Sequence, residues 1–266
     1  MVAVPVALTI AGSDSGGGAG IQADLKTFAF LKVHGTSALT CITAQNTLGV
    51  SQVLALPPDL VVAQMEAVLG DLGVSALKTG MLFNQGIMEA VGDTLSRHAH
   101  VPWVLDPVMV SRSGDPLLEE AAIDFLKTHL LPRATLITPN RYEAQLLTGV
   151  EVVDLPTQEA AARKLLALGA RAGVVKGGGL ASPHRAVDLW WEGETLAVLR
   201  TECVATPHTH GTGCTLSAAI AAHLALGHGL LESVQQAKAY VTQALKYALP
   251  LGQGQGPVGH FFPLLT

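Results

Sequence analysis

The chain has 266 residues and a formal net charge of −5, and its 16 Lys and Arg residues form no basic run. A nucleic-acid-binding protein needs a basic surface, so this balance argues against that class and against a nucleic-acid partner. Hydrophobic residues make up 49% of the chain and charged residues 14%, which excludes a disordered protein and predicts a large buried core.

Short apolar runs alternate with helical patterns along the whole chain. In chain order we predict a strand at 5–12, a helix at 21–33, strands at 36–45 and 51–57, a helix at 58–69, a strand at 75–80, a helix at 84–98, a strand at 101–107, a helix at 116–131, a strand at 134–139, helices at 140–149 and 157–169, a strand at 172–179, a hairpin over 185–202 and helices at 212–227 and 230–248. This alternation predicts an α/β fold with a mostly parallel sheet. No linker or repeat divides the chain, so we predict one domain over residues 1–266.

Ligands of such sheets bind beyond the carboxyl ends of the strands, which directs attention to the loops there. The first of these loops follows the strand at 5–12 and contains a G-x-G-x-x-A match from Gly18 to Ala23. A dinucleotide site also needs an acidic residue about 20 positions on, and no Asp or Glu occurs between Leu25 and Pro58. The loop has no P-loop lysine either. It is interpreted as a glycine loop whose backbone amides approach a ligand, or as a plain tight turn.

Two further loops carry carboxylates. Asp106 ends the strand at 101–107, where it could face a metal ion or cap a turn before Pro107. Asn140 and Glu143 have the spacing of a capping box at a helix start, and they could also point to a hydrated Mg²⁺ beside Asp106. The intervening segment 111–114 could close over a phosphate or be a solvated loop.

The last two loops suit phosphate groups. Lys176 precedes three glycines after an apolar strand, which favours contact with a polyphosphate over a solvated surface lysine. The stretch 211–214, Gly-Thr-Gly-Cys, opens an apolar helix that should be buried and central. Amides at such a helix start form an anion site.

The three cysteines have irregular spacing and indicate a reducing cytoplasm rather than a disulfide framework. Cys41 and Cys203 lie in apolar runs and fit small core residues. Cys214 does not, because a helix start beside an anion site predicts a lowered thiol pKa. No apolar stretch reaches the roughly 20 residues that span a bilayer, so we predict a cytoplasmic protein without a membrane partner.

Together these motifs resemble one family from about residue 6 to residue 262. GSDSGGGAGIQADLKTF, TAQNT, KTGML, LDPVM, TPNxxEA, VKGG and GTGCTLSA occur here in that family's order. The chain is similar to the hydroxymethylpyrimidine/phosphomethylpyrimidine kinases of thiamine biosynthesis, in the vitamin-kinase branch of the ribokinase-like fold. The resemblance implies a single-domain three-layer αβα sandwich, ATP, Mg²⁺, a homodimer and two successive phosphoryl transfers to an aminopyrimidine, first at its hydroxymethyl group and then at the resulting phosphate.

The resemblance also implies roles for individual residues. The pyrimidine would contact Gln45, whose amide offers a donor and an acceptor together, and four further residues, Gly12, Ala19, Asp24 and Met81. Mg²⁺ would be organised by Asp106 and Glu143, and the nucleotide would be held by Lys176, Thr209 and Asn140. The catalytic group would be Gly211, Thr212, Gly213 and Cys214, with their amides stabilising charge on the transferred phosphoryl group.

The thiol is unusual, because sugar kinases of this fold commonly carry an aspartate at the position of Cys214. We hypothesise that a thiol can be neutral when a phosphate acceptor arrives and a thiolate when an alcohol does, whereas a fixed carboxylate would repel the phosphate. Three alternatives remain: a pyridoxal kinase in which the thiol meets an aldehyde, a non-catalytic pyrimidine or nucleotide binder, and a dehydrogenase, which the missing acidic residue weakens.

Overall fold

The computed structural model describes residues 4–109, 118 and 120–265. Strands and helices alternate along it, as the sequence predicts. The strands are β1 (Val6–Ala11), β2 (His34–Leu39), β3 (Cys41–Gln45), β4 (Val50–Ala55), β5 (Ala76–Thr79), β6 (Trp103–Leu105), β7 (Leu136–Ile137), β8 (Ala172–Val175), β9 (Val187–Glu192) and β10 (Thr195–Arg200). The helices are α1 (Gly20–Phe30), α2 (Pro58–Leu69), α3 (Gln85–Arg97), α4 (Glu120–Phe125), α5 (Arg141–Thr148), α6 (Leu155–Ala167), α7 (Thr212–Ala225) and α8 (Leu230–Lys246).

Eight strands form the central sheet in the order β10-β9-β8-β7-β6-β5-β1-β2. Among the described strands of this sheet only β9 runs in the opposite direction to the others, so the predicted mostly parallel sheet is confirmed. The central strands are short apolar runs because helices cover both of their faces.

Two layers of helices sandwich the sheet. Helices α1, α7 and α8 pack on one face, and α2 to α6 pack on the other. Side chains alternate across a strand, so the neighbouring Trp190 and Trp191 of β9 enter opposite cores. Every residue from Thr215 to His223 of α7 is buried, as predicted for a central apolar helix. This arrangement confirms the three-layer αβα sandwich, whereas the single domain over residues 1–266 stays a prediction.

The prediction of one strand over 36–45 is wrong. The chain leaves the central sheet at Thr40, whose amide donates to the Ala11 carbonyl and whose hydroxyl donates to the Met81 carbonyl. Strand β2 therefore belongs to the sheet, while β3 pairs antiparallel with β4 in a separate hairpin. The alternating pattern runs through Thr40 without a break, so it gave no sign of this change of direction.

Other predicted boundaries differ less. The described part of the helix predicted at 116–131 is α4, followed by a π-helical stretch, Leu126–Leu130, and the strand predicted at 134–139 is reduced to the two residues of β7. The predicted hairpin over 185–202 forms as β9 and β10. None of the helices in the described ranges is long and apolar enough to cross a membrane.

The C-terminal residues 249–260, called here the strap, run across the carboxyl edge of the sheet. The Gly254 amide donates to Thr47 Oγ1 at 3.2 Å, which joins the strap to the β3–β4 hairpin. The His210 amide donates to the Gly256 carbonyl, and the Val258 amide donates to the His210 carbonyl, which joins the strap to the segment before α7. The strap thereby connects two loops that lie far apart in the sequence.

Candidate active site

The parallel strands β1, β5, β6, β7 and β8 end at one edge of the sheet, and the predicted functional loops meet there. Helix α7 begins at the same edge, with its first turn against the start of α1. The structure brings the predicted residues together as a substrate side, a helix N-terminus and a group of buried charges.

The glycine loop 12–20 is organised by a residue that the sequence analysis overlooked. Asp14 is 1% exposed, and its carboxylate accepts hydrogen bonds from the amides of Gly16, Gly18 and Ala19 at 2.8, 3.0 and 2.8 Å. The ring of His210 lies 2.8 Å from the same carboxylate. The expectation that this loop offers those amides to a ligand is therefore wrong, because Asp14 already uses three of them.

The predicted substrate residues lie around this loop. A Cβ on Gly12 would lie 2.6 Å from Cys41 Sγ and 2.8 Å from Met81 Cε, so Gly12 allows the chain to approach both side chains. Gln45 is tied to the loop through Ser15, whose hydroxyl bonds both the amide and the carbonyl of Gln45 at 2.7 Å. The Gln45 carboxamide oxygen accepts a 3.2 Å hydrogen bond from Thr43, and its nitrogen has no acceptor among the described residues. Their contact with a pyrimidine stays a prediction.

Asp24 occupies a different environment from the other predicted substrate residues. Its carboxylate is fully buried, and its Oδ2 accepts from Lys78 Nζ at 2.7 Å and Thr9 Oγ1 at 2.6 Å, while Oδ1 has no partner among the described residues. Burial acts to lower the pKa of Lys78, but Asp24 and other nearby groups together outweigh it and keep the ammonium group charged. Burial raises the pKa of Asp24, against the opposing effect of Lys78; we take the pair as ionised because the ammonium group lies 2.7 Å from the carboxylate. Contact of Asp24 with a substrate stays a prediction, and its observed role is to hold Lys78 under the site.

The first turn of α7 offers free amides, as predicted for an anion site. The Thr212 amide bonds the Thr209 carbonyl, whereas the amides of Gly213 and Cys214 have no acceptor in the described part of the chain. Gly211 has a φ of +81°, and a Cβ there would lie 1.8 Å from the Gly18 carbonyl oxygen. Glycine is therefore required at this contact. The anion cradle, defined here as the amides of Gly213 and Cys214, lies directly beside the glycine loop.

The predicted low thiol pKa of Cys214 is wrong. Burial raises the pKa of this thiol to about 11, although Lys78 and a hydrogen bond from the Gly20 amide act in the opposite direction. Two carboxylates, Asp24 and Asp106, add to the effect of burial. The helix start does not dominate here because desolvation of the sulfur is the larger effect. Cys214 is half-buried, and the raised pKa favours the neutral thiol over the thiolate at physiological pH.

Asp106 lies at the centre of the buried charges. Its Oδ1 accepts hydrogen bonds from Lys176 Nζ at 3.2 Å and Thr138 Oγ1 at 3.1 Å, and its Oδ2 accepts one from Ser217 Oγ of α7 at 3.0 Å. Burial acts to raise the pKa of Asp106, but Lys176 and Lys78 outweigh it, so the carboxylate is ionised.

Glu143 and Asn140 form the predicted capping box of α5. The Asn140 side chain accepts from the amides of Tyr142 and Glu143, and Glu143 Oε2 accepts from the Asn140 amide at 2.7 Å. Glu143 Oε2 also lies 4.0 Å from Lys176 Nζ. Burial raises the pKa of Glu143 to about 7, with Lys176 opposing and Asp106 adding to that effect. The predicted capping box is confirmed, and the role of this pair towards a metal ion or a nucleotide stays a prediction.

Lys176 connects these carboxylates to the anion cradle. A Cβ on Gly213 would lie 3.5 Å from Lys176 Nζ, so the ammonium group stands over the first turn of α7. Thr209, two residues before Gly211, donates to Gln255 of the strap at 3.3 Å. Contact of either residue with a nucleotide stays a prediction, and the predicted phosphate-closing segment 111–114 lies outside the described residues.

Comparison with known proteins agrees with this geometry. The family model for phosphomethylpyrimidine kinase matches residues 14–259. A hydroxymethylpyrimidine/phosphomethylpyrimidine kinase of Synechococcus elongatus is 59% identical over 263 residues, covering 99% of this chain and 100% of the relative. The chain belongs to the phosphomethylpyrimidine kinase family.

Two solved structures extend the likeness to three dimensions. The ADP complex of Bacillus subtilis pyridoxal kinase has a TM-score of 0.92 and 42% identity, covering 99% of this chain and 100% of that one. Phosphomethylpyrimidine kinase of Clostridium difficile has a TM-score of 0.81 and 40% identity, covering 91% and 99%. These likenesses confirm the ribokinase-like fold and a phosphotransferase of the phosphomethylpyrimidine kinase family.

Four residues of this kinase site were missed in the sequence. Asp14 lies in a glycine-rich loop that the sequence analysis interpreted through its backbone amides. His210 and Ser217 lie on either side of the stretch 211–214, and neither was assigned a role. Lys78 carried a usable signal, because it is the one charged residue of a buried strand and Asp24 is the one acidic residue of the facing helix α1. Opposite charges in two apolar elements favour a buried pair.

The ion pair between Lys78 and Asp24 gives a stability prediction. Lys78→Met leaves the buried Asp24 carboxylate without its cation, so we expect a loss of about 3–5 kcal/mol in the free energy of unfolding. The double variant Lys78→Met/Asp24→Asn removes the unpaired charge and should recover a large part of that loss. Urea denaturation of the wild type and both variants measures the difference. A double variant no more stable than Lys78→Met alone would contradict the charge pairing.

Proposed function

We propose that this protein uses ATP and Mg²⁺ to phosphorylate 4-amino-5-hydroxymethyl-2-methylpyrimidine to its monophosphate and then to its diphosphate, as a cytoplasmic enzyme of thiamine biosynthesis. The observation that carries the proposal is the position of the anion cradle, between the glycine loop with Gln45 on one side and Lys176 with Asp106 on the other. An acceptor hydroxyl and a triphosphate approaching from those two sides would meet at the cradle. The name of the Synechococcus relative supports the substrate.

The proposed phosphate-binding side of the site is inferred from the positions of a lysine and of two backbone amides. Lys176 stands over α7 and would attract the nucleotide phosphates, and the free amides of Gly213 and Cys214 would stabilise charge on the transferred group. In the first transfer, the hydroxyl oxygen of the acceptor would form a bond to the γ-phosphorus, the bond between that phosphorus and the ADP oxygen would break, and the hydroxyl proton would pass to water or to a product phosphate. Because such transition states are loose, positioning and electrostatics supply most of the catalysis.

The two carboxylates near Lys176 fit a hydrated Mg²⁺. Mg²⁺ is typically held by one or two carboxylates together with water and substrate phosphates. Asp106 and Glu143 both approach Lys176 Nζ, and burial beside Asp106 makes ionisation of Glu143 costly, which a cation would relieve. No group of three or more potential His, Cys, Asp or Glu ligands occurs among the described residues, so phosphate and water would have to complete the coordination. Such an ion would shield the charge of the polyphosphate.

The substrate side rests on Gln45. Among the described residues its nitrogen has no acceptor and can donate, and its oxygen keeps acceptor capacity beside the Thr43 hydroxyl. A ring nitrogen and an exocyclic amine of an aminopyrimidine match such a donor and acceptor. Gly12 packs closely against Met81, and any larger residue at position 12 would clash there.

Pyridoxal phosphorylation is the second candidate, and the likeness to the Bacillus pyridoxal kinase is the observation that favours it. The pyrimidine is preferred because the Synechococcus relative shares 59% of its residues with this chain against 42% for the pyridoxal kinase. The complete cradle with Lys176, Asp106 and Glu143 favours catalysis over a non-catalytic binder, and the family excludes a dehydrogenase.

A homodimer is proposed from the surface of the β3–β4 hairpin. Its cross-strand neighbours Ile42 and Leu54 are 48% and 66% exposed, and Leu48 and Val50 at its tip are exposed as well. An apolar group of this kind on a two-stranded ribbon favours burial against a partner. A second copy of the chain would cover it.

Product analysis tests the proposed function directly. Purified protein would be incubated with Mg-ATP and either the hydroxymethylpyrimidine or pyridoxal, and the products would be separated by mass. We expect the pyrimidine monophosphate followed by the diphosphate. Pyridoxal phosphate as the sole product would favour the second candidate, and the absence of any phosphorylated product would leave a non-catalytic binder.

The neutral thiol predicts how the two transfers separate. Cys214→Asp places a fixed negative charge beside the arriving phosphate, and two unit charges 4 Å apart repel by about 4 kcal/mol at an effective dielectric constant of 20. We expect the second transfer to lose about 10- to 1000-fold in kcat/KM while the first changes little. Cys214→Asn is the matched neutral control and should spare the second transfer. Equal losses in both transfers for Cys214→Asp would contradict the charge argument.

A further inference from the structure

The glycine loop and the segment before α7 are in close contact. Gly18 lies under His210, since a Cβ on Gly18 would lie 2.4 Å from the ring carbon Cδ2 of His210. Gly211 in turn lies against the Gly18 carbonyl, since a Cβ on Gly211 would lie 1.8 Å from that oxygen. Residues 18 and 210–211 therefore pack without space between them, and a shift of one loop displaces the other.

A charged hydrogen bond reinforces this packing. His210 Nε2 lies 2.8 Å from Asp14 Oδ2, and the carboxylate is an acceptor, so the ring donates. The same carboxylate accepts from the amides of Gly18 and Ala19, the two residues before α1. A single carboxylate thus binds the substrate-side loop internally and fixes it to the segment that leads into the anion cradle.

His210 is itself held in place from the other side. Its amide donates to the Gly256 carbonyl and its carbonyl accepts from the Val258 amide, both at 3.2 Å. The backbone of His210 is therefore fixed by the strap, and its ring is left to reach Asp14. His208, two residues earlier, also contacts the strap, because its Nδ1 accepts from the Gly256 amide at 3.0 Å, but its ring bonds the strap and not Asp14.

We infer that His210 is a positioning residue that sets the distance between the substrate-side glycine loop 12–20 and the phosphoryl-side cradle, through its hydrogen bond to Asp14. The inference rests on the proposed function, because it concerns how the acceptor hydroxyl is aligned with the transferred phosphoryl group. Misplacement of reacting groups by about 1 Å can cost on the order of 100-fold in rate. Loss of the bond should therefore lower kcat more than it weakens binding of ATP, whose phosphates meet Lys176 on the far side of the cradle.

The test compares three variants with the wild type. His210→Phe keeps a ring over Gly18 but removes the donor, His210→Gln returns an amide N–H at similar reach, and His208→Phe is the matched control in the same segment. Steady-state kinetics would give kcat and both KM values, and the ratio of ADP released to pyrimidine phosphate formed would report alignment. Urea denaturation would give the folded fraction of each protein.

We expect His210→Phe to lower kcat about 10- to 100-fold, to leave the KM for ATP within about twofold, and to raise the ratio of ADP to product through transfer to water. His210→Gln should recover part of kcat, and His208→Phe should stay close to the wild type. Wild-type kcat in His210→Phe, or an equal loss in His208→Phe, would overturn the inference. A wild type that forms no pyrimidine phosphate would instead refute the proposed function.

A second measurement needs no substrate. Hydrogen–deuterium exchange would follow the peptides covering residues 12–20 and 211–216 in the same proteins. His210→Phe should speed exchange in the 12–20 peptide, and Asp14→Asn should speed exchange in the 211–216 peptide. His208→Phe should leave the 12–20 peptide unchanged. Unaltered exchange in the opposite loop for both His210→Phe and Asp14→Asn would overturn the coupling whatever the enzyme phosphorylates.

Discussion

The site depends on the neutralisation of carboxylates that are buried where a polyphosphate must enter. Asp14, Asp24, Asp106 and Glu143 all lie at the carboxyl edge and are at most 3% exposed. An unpaired buried carboxylate is costly, and several of them together would also repel an arriving anion. Each therefore accepts hydrogen bonds before any ligand binds, although Asp24 Oδ1 has no partner among the described residues. Asp14 and Glu143 accept from amides of their own segments, whereas Asp24 and Asp106 are paired with lysines that are distant in the sequence.

The donors differ in kind, and the difference separates the two sides of the site. On the phosphoryl side Asp106 is paired with Lys176, a cation that a polyphosphate can share. Beneath the site Asp24 is paired with the fully buried Lys78, which no ligand can reach in this structure. On the substrate side Asp14 is held by backbone amides and His210, so three amides of the glycine loop are already used. This contrast is why we propose that phosphate groups bind at Lys176 and the cradle of α7.

Cys214 stands among these charges as a neutral group. Burial favours the thiol over the thiolate, and the amide at the start of α1 does not reverse that preference. A carboxylate in its place would add another negative charge beside Asp106. In the proposed function the same pocket would accept an alcohol in one transfer and a phosphate in the next, and the amides of α7 and Lys176 would act in both.

The sequence was sufficient for the order of elements, the sandwich and the loops at its carboxyl edge, because apolar periodicity and glycine clusters are local signals. The break at Thr40, the Asp14 carboxylate that uses the loop amides, and the Lys78–Asp24 pair depend on contacts between distant segments, which periodicity does not report. The prediction of a low thiol pKa for Cys214 was wrong for a related reason. The helix start is visible in the sequence, whereas the desolvation that outweighs it depends on how α1, β5 and α7 enclose the sulfur.

The protonation of Cys214 is the most direct measure of this account. Iodoacetamide labelling of the ligand-free protein in a Cys203→Ser background would be followed by peptide mass spectrometry between about pH 6 and pH 10, with circular dichroism to confirm that the fold persists. The account predicts that the labelling rate of Cys214 keeps rising to the upper end of that range without a plateau, because its thiol pKa is raised to about 11. A plateau below about pH 8, under the ordinary thiol range, would show a stable thiolate in the cradle and contradict the account.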